Sequence, residues 1–150
     1  MRGYFCLAAV LSLLFCFVCP VSGVSVFTDD GKKAFSFTAY LGSPFSTGYI
    51  HSVQLCPVVD VFYVQEGAIW LWEERTQSTN AGLPTEAPRL GKFMHAAPWY
   101  RYLGGRRAFH SFRLRVGDSL LGRNVLQLPN RRKIFLFELF PRDVLTFRVK

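Results

Sequence analysis

The chain has 150 residues, half of them apolar, with 18 Lys and Arg against 10 Asp and Glu. That much apolar residue excludes global disorder, and the length suits one domain with a moderate core. A net charge of +8 favours anionic partners over cationic ones.

The first residues read as a targeting leader. Arg2 supplies a positive start, Tyr4 to Cys19 form an uncharged apolar run, and Val21-Ser22-Gly23 offers the small residues that a signal peptidase selects. The run is shorter than the roughly twenty residues that span a bilayer, and Pro20 closes it. Cleavage is expected after Gly23, leaving residues 24–150 as a single secreted domain, extracellular or in the lumen of the secretory pathway. Of the four cysteines, Cys6, Cys16 and Cys19 lie in this leader. Cys56 alone remains, so no internal disulfide is expected and packing must supply the stability. Its simplest role is a small buried hydrophobe; an intermolecular disulfide through Cys56 is the alternative.

Charge is unevenly divided along the rest of the chain. Val24 to Pro88 holds three basic residues against seven acidic ones, whereas Arg89 to Lys150 holds fourteen against three. The second half is therefore where an anionic partner is expected.

Val24 to Phe27 reads as a strand, Thr28 to Gly31 as a turn, and Ala34 to Leu41 as a second strand in which Phe35, Phe37, Ala39 and Leu41 share one face. Gly42 to Gly48 is expected as a loop, with strands over Tyr49 to Leu55, Val59 to Gln65 and Ala68 to Glu74. Arg75 to Gly91 lacks apolar periodicity and contains Pro84 and Pro88, so a long exposed loop is expected there.

Trp99 to Leu103, Gly104-Gly105 and Arg106 to Val116 read as a hairpin with the glycine pair at its tip. That register sets Tyr102 opposite Arg107, Tyr100 opposite Phe109 and Trp99 opposite His110. Alternation then turns Ala108, His110, Phe112, Leu114 and Val116 inward. It leaves Tyr100, Tyr102, Arg107, Phe109, Arg113 and Arg115 on an exposed face.

Gly117-Asp118 and Gly122 to Asn124 are turn signals, followed by strands at Val125 to Leu128, Lys133 to Phe140 and Asp143 to Val149. Eight or nine short strands without a helical period indicate an all-β, antiparallel β-sandwich of jelly-roll, C2-like or galectin-like type, or a partly open barrel. An immunoglobulin domain is disfavoured because its Cys-Trp-Cys arrangement is absent.

No catalytic signature accompanies this pattern. His51, His95 and His110 are far apart in sequence, no nucleophile elbow or phosphate loop occurs, and Glu73-Glu74 are adjacent on a strand and point to opposite faces. No enzyme activity, metal or cofactor is expected. The aromatic and arginine-rich face, assisted by Arg131, Arg132 and Lys133, is the expected binding surface, since guanidinium groups pair with sulfate, carboxylate or phosphate. Outside the cytosol its partners would be an anionic glycan, a membrane surface or an acidic protein, with nucleic acid unlikely. The chief alternative is a subunit of a secreted or surface-tethered homo- or hetero-oligomer; a small secreted enzyme is less favoured.

Overall fold

The computed structural model describes Ser12, residues 20–40 and residues 43–150. Its strands are β1 (Pro20–Phe27), β2 (Lys33–Tyr40), β3 (Phe45–Ile50), β4 (Pro57–Gln65), β5 (Ala68–Thr76), β6 (Gly91–Ala96), β7 (Trp99–Phe109), β8 (Ser111–Arg115), β9 (Gly122–Gln127), β10 (Lys133–Phe135) and β11 (Val144–Val149). A single helical turn, α1 (Leu136–Leu139), precedes β11. The strands form two antiparallel sheets, a smaller one in the order β2-β1-β11-β8 and a larger one in the order β10-β9-β3-β4-β5-β7-β6. The expected antiparallel sandwich is the fold, with eleven strands among the described residues rather than eight or nine.

Phenylalanines join the two layers. Phe45 of the larger sheet stacks on Phe62 at 5.1 Å and meets Phe37 of the smaller sheet edge-on at 5.2 Å. Phe62 in turn stacks on Phe112, and Phe112 on Phe147, at 4.9 and 4.7 Å. Burying rings of this size contributes about 2–3 kcal/mol each, which suits a domain whose described cysteine forms no disulfide.

The apolar leader run lies outside the described residues apart from Ser12. β1 starts at Pro20, so the expected cut after Gly23 falls within that strand. Val24 to Phe27 would remain paired on both sides, with β2 and β11.

Several boundaries differ from the sequence expectation. Part of the expected 42–48 loop is strand β3, and the expected strand Tyr49 to Leu55 stops at Ile50. There the His51 ring folds over the following turn, its Nδ1 accepting from the backbone N–H of Val53 and Gln54 at 3.3 and 3.2 Å. Arg75 and Thr76 complete β5, so the long loop begins at residue 77 and runs to Leu90; it is mostly exposed but buries Leu83. β6 is an additional strand outside those expected, because an edge strand with nearly every residue exposed carries no alternation. The expected strand Lys133 to Phe140 divides into β10 and α1, where Leu136 turns fully into the core.

Candidate functional site

Gly104-Gly105 is not a hairpin tip. β7 runs straight through it, held between β5 and β6, with Gly104, Gly105 and Arg106 at φ values of 77, 89 and 50°. Leu71 pairs with Arg107 and Glu73 with Leu103, so three β7 residues stand opposite Trp72. The glycines supply the left-handed backbone that such a bulge requires. The observed register sets Tyr102 between Glu74 and Phe93, Tyr100 between Thr76 and His95, Arg107 beside Leu71, and Phe109 beside Ile69.

The expected strand Arg106 to Val116 also divides. At His110 the chain crosses from the larger sheet to the smaller, where β8 pairs with β11. Crossing between layers reverses which parity faces the core. Arg107 and Phe109 share the inner face with Leu71 and Ile69, whereas on β8 the inner residues are Phe112 and Leu114, as expected. Val116 is buried as expected, but Ala108 and His110 are exposed. The single face expected for Tyr100, Tyr102, Arg107, Phe109, Arg113 and Arg115 is therefore corrected. Arg107 and Phe109 stand on a different sheet from Arg113 and Arg115, and Tyr102 is only 1% exposed. Its hydroxyl donates to the Pro84 carbonyl, so the 77–90 loop covers it. Arg131, Arg132 and Lys133 are exposed at the β9–β10 turn, on the larger sheet's far edge.

A second arrangement emerges on the outer face of the smaller sheet. With Phe112 and Leu114 inward, Arg113 and Arg115 point outward, and the β8–β11 and β11–β1 registers add Arg148 to the same face. Arg148 lies over the Phe27 ring at 5.5 Å. Ser36, Thr38 and Tyr40 of β2 continue the face and are exposed. Asp29 is bound to Arg113 at 2.7 Å at its rim.

Between the two sheets, at the end where β3, β8 and β9 meet their connecting loops, lies a cavity of about 600 Å3. Tyr49, His51, Asp60, Leu114, Arg115 and Asn124 are among its lining residues. Asp60 follows Phe62 and Val58 in period-2 alternation, so a carboxyl stands where β4 otherwise presents apolar side chains to the interior. Burial first, and then Glu74, its cross-strand partner, push its pKa up to about 7 against the opposing pull of Arg107. Glu74 accepts from Arg107 Nη1 at 3.2 Å, while Arg107 Nε and Nη2 are buried without partners. The Tyr49 phenol is pushed up to about 12, first by burial and then by Asp60 and Glu74. The Thr47 hydroxyl, opposite Asp60 in the β3–β4 register, is buried without a hydrogen-bond partner.

The outer face of the larger sheet is electrically closed by comparison. Glu73, 4% exposed, is bound to Arg75 at 2.7 Å and to Arg101. Burial raises its pKa, but the two guanidinium hydrogen bonds outweigh that and hold it below the ordinary value. Cys56 is half-buried, its Sγ 3.8 Å from Thr76 Oγ1. Among the described residues, no three His, Cys, Asp or Glu side chains stand close enough together to hold a metal ion. Nor is any helix there long and apolar enough to cross a membrane.

Asp60, Glu74 and Arg148 are not among the binding residues expected from the sequence. The signal for Asp60 was present in Val58-Val-Asp-Val-Phe62, where an acid shares parity with two core residues. Arg148 could not be joined to Arg113 without knowing that β8 pairs with β11.

No curated protein and no solved structure matches the chain. Residues 45–134 match the model of a domain of unknown function, DUF1850, a stretch running from the first residue of β3 into β10 and including every cleft residue named above. On that match, which covers more than half of its length, the chain belongs to the DUF1850 family.

Proposed function

We propose that the protein is a non-enzymatic binding module, working outside the cytosol, that holds an anionic glycan surface on the outer face of its smaller sheet. The observation that carries this is the alignment of Arg113, Arg115 and Arg148 on adjacent strands, with Asp29 the acid that pairs there. Residues two apart on a strand are separated by about 6.8 Å and diagonal cross-strand neighbours by about 7–8 Å, so the backbone sets the three arginines in one cationic row. Exposed Ser36 and Thr38 extend it with hydroxyl groups suited to a hydroxylated polymer. The face presents few apolar side chains, which favours a sulfated or carboxylated glycan over insertion into a bilayer. Arg131, Arg132 and Lys133 form a separate cationic cluster that does not share this face.

Retention on a heparin column, measured against salt, tests the assignment. Replacing Arg113, Arg115 and Arg148 by glutamate should move elution to markedly lower salt, because such contacts are screened over about 8 Å at physiological ionic strength. The same change at Arg131, Arg132 and Lys133 should have the smaller effect. Unchanged retention in the first variant would overturn the assignment, and loss of anionic-vesicle binding without loss of heparin binding would turn the partner into a membrane.

A further inference from the structure

We propose that the cleft between the sheets is a second binding site, for a small ligand carrying a cationic amine on an apolar body, its charged group seated on Asp60. The site lies across β8 from the outer cationic face and is built differently.

Behind the lining residue Asp60 stand a second carboxylate, Glu74, and one guanidinium, Arg107, whose Nε and Nη2 are buried without partners. Asp60 and Glu74 are cross-strand partners, and the Arg107 guanidinium beside them is hydrogen-bonded to Glu74. Among the described residues, no side chain or backbone group donates a hydrogen bond to Asp60, and none forms an ion pair with it. Five of the other carboxylates, Asp29, Asp30, Glu73, Glu74 and Asp118, each have a cationic partner. An interior-facing carboxyl without a partner is costly to folding, and such groups recur at sites whose missing partner is a ligand. Thr47, 1% exposed, adds an unpaired hydroxyl next to Asp60.

The walls fix the rest of the ligand. Ile50, Leu114, Val116 and Leu121 line the cavity with aliphatic surface. A volume of about 600 Å3 lies within the range of small-molecule sites. An ammonium group on Asp60 would balance the two carboxylates against two cations, and an apolar body would lie along the aliphatic wall. Asn124 is already committed, its Oδ1 accepting from the Gly117 N–H at 2.7 Å.

The charged and titratable groups around Asp60 are Glu74 on β5, Arg107 on β7, Tyr49 and His51 at the end of β3, and Arg115 on β8. With Asp60 half-ionised near neutrality, amine binding should strengthen as the carboxyl loses its proton. Calorimetric titration of the full chain with phenethylamine, phenethyl alcohol and phenylalanine tests this. Phenethylamine should bind at least tenfold more tightly at pH 8 than at pH 5.5, and more tightly than the uncharged alcohol at pH 8. Asp60→Asn should lose that binding at least tenfold while retaining its circular dichroism spectrum and its heparin retention, which separates this site from the outer face. Phenylalanine, which adds a carboxylate beside its amine, should bind more weakly than phenethylamine because Asp60 and Glu74 repel that carboxylate. Equal binding of amine and alcohol, or undiminished amine binding by Asp60→Asn, would overturn the proposal.

Discussion

Replacing Asp60 by Asn should stabilise the folded protein at alkaline pH and leave it unchanged in acid. The carboxyl is raised from its ordinary 3.8 to about 7, first by burial and then by Glu74. At about 1.4 kcal/mol per pH unit, that difference corresponds to about 4 kcal/mol. The sign follows from proton affinity. The folded state holds the proton more tightly than the unfolded chain, so the stabilising contribution is complete below about pH 4 and is lost as pH rises through about 7. Because the cleft is open to solvent, water will recover part of the cost, and about 2–4 kcal/mol is the expected gain for Asn at pH 8. Urea unfolding of both proteins between pH 4 and pH 8 measures it. Glu73 and Asp118 are shifted downward and act in the opposite sense, but they are common to both proteins and cancel in the difference. A difference in stability that does not change with pH, or an Asn variant less stable at pH 8, would refute a half-buried carboxyl held without a partner.

Glu73→Gln should cost about 1–3 kcal/mol at neutral pH, less than the 3–5 of a fully buried pair because Arg75 and Arg101 are partly exposed. Its penalty should shrink as the pH falls below about 4, since the lowered pKa of Glu73 makes its contribution one that acid removes. Phe147→Ala removes a fully buried ring stacked on Phe112 and should cost about 3–5 kcal/mol in chemical denaturation. Phe109→Ala, at a site 36% exposed, should cost well under half of that; an equal cost would refute the partial exposure of Phe109 at the end of β7. Gly105→Ala should lower stability by at least the 1–2 kcal/mol of a left-handed alanine, because its Cβ would also lie 2.8 Å from the Pro88 side chain; a neutral substitution would argue against the bulge.

Where one strand lies half-buried in one sheet, its pattern was readable. Phe35, Phe37 and Ala39 face the core as their alternation requires, and the Asp30-Gly31 turn closes β1 on β2 through bonds from Thr28 and Gly31. Legibility failed where tertiary pairing overrode a local signal. A glycine pair fits a hairpin and a bulge equally well, and only the neighbours on both sides of β7 decide between them. Arg106 to Val116 alternates without interruption in sequence, so nothing local reports that the chain changes sheets at His110. The binding residues expected from that alternation were separated as a result, Tyr102 beneath the 77–90 loop and Arg113 on the opposite layer. The cationic row that does form needs Arg148, thirty-five residues beyond Arg113 in sequence and adjacent only through the β8–β11 pairing.

The inequality of the two sheets links the fold to both candidate sites. Four strands cannot cover seven, so the inner face of the larger sheet continues past the phenylalanine core through Asp60, Glu74, Arg107 and Tyr102. The 77–90 loop closes this margin over Tyr102, and Arg107 neutralises Glu74 within it. Asp60 lies where neither closure reaches, against the end of β8. The same strand presents Leu114 to the cleft and Arg113 to the opposite side, so β8 forms a wall of one site and a row of the other. Ligand seated against Leu114 and glycan held by Arg113 would therefore act on a single five-residue edge strand. If filling the cleft restrains β8, phenethylamine should raise heparin retention of the wild-type protein and leave that of Asp60→Asn unchanged. Equal retention of the wild type with and without the amine would show that the two faces of β8 work independently.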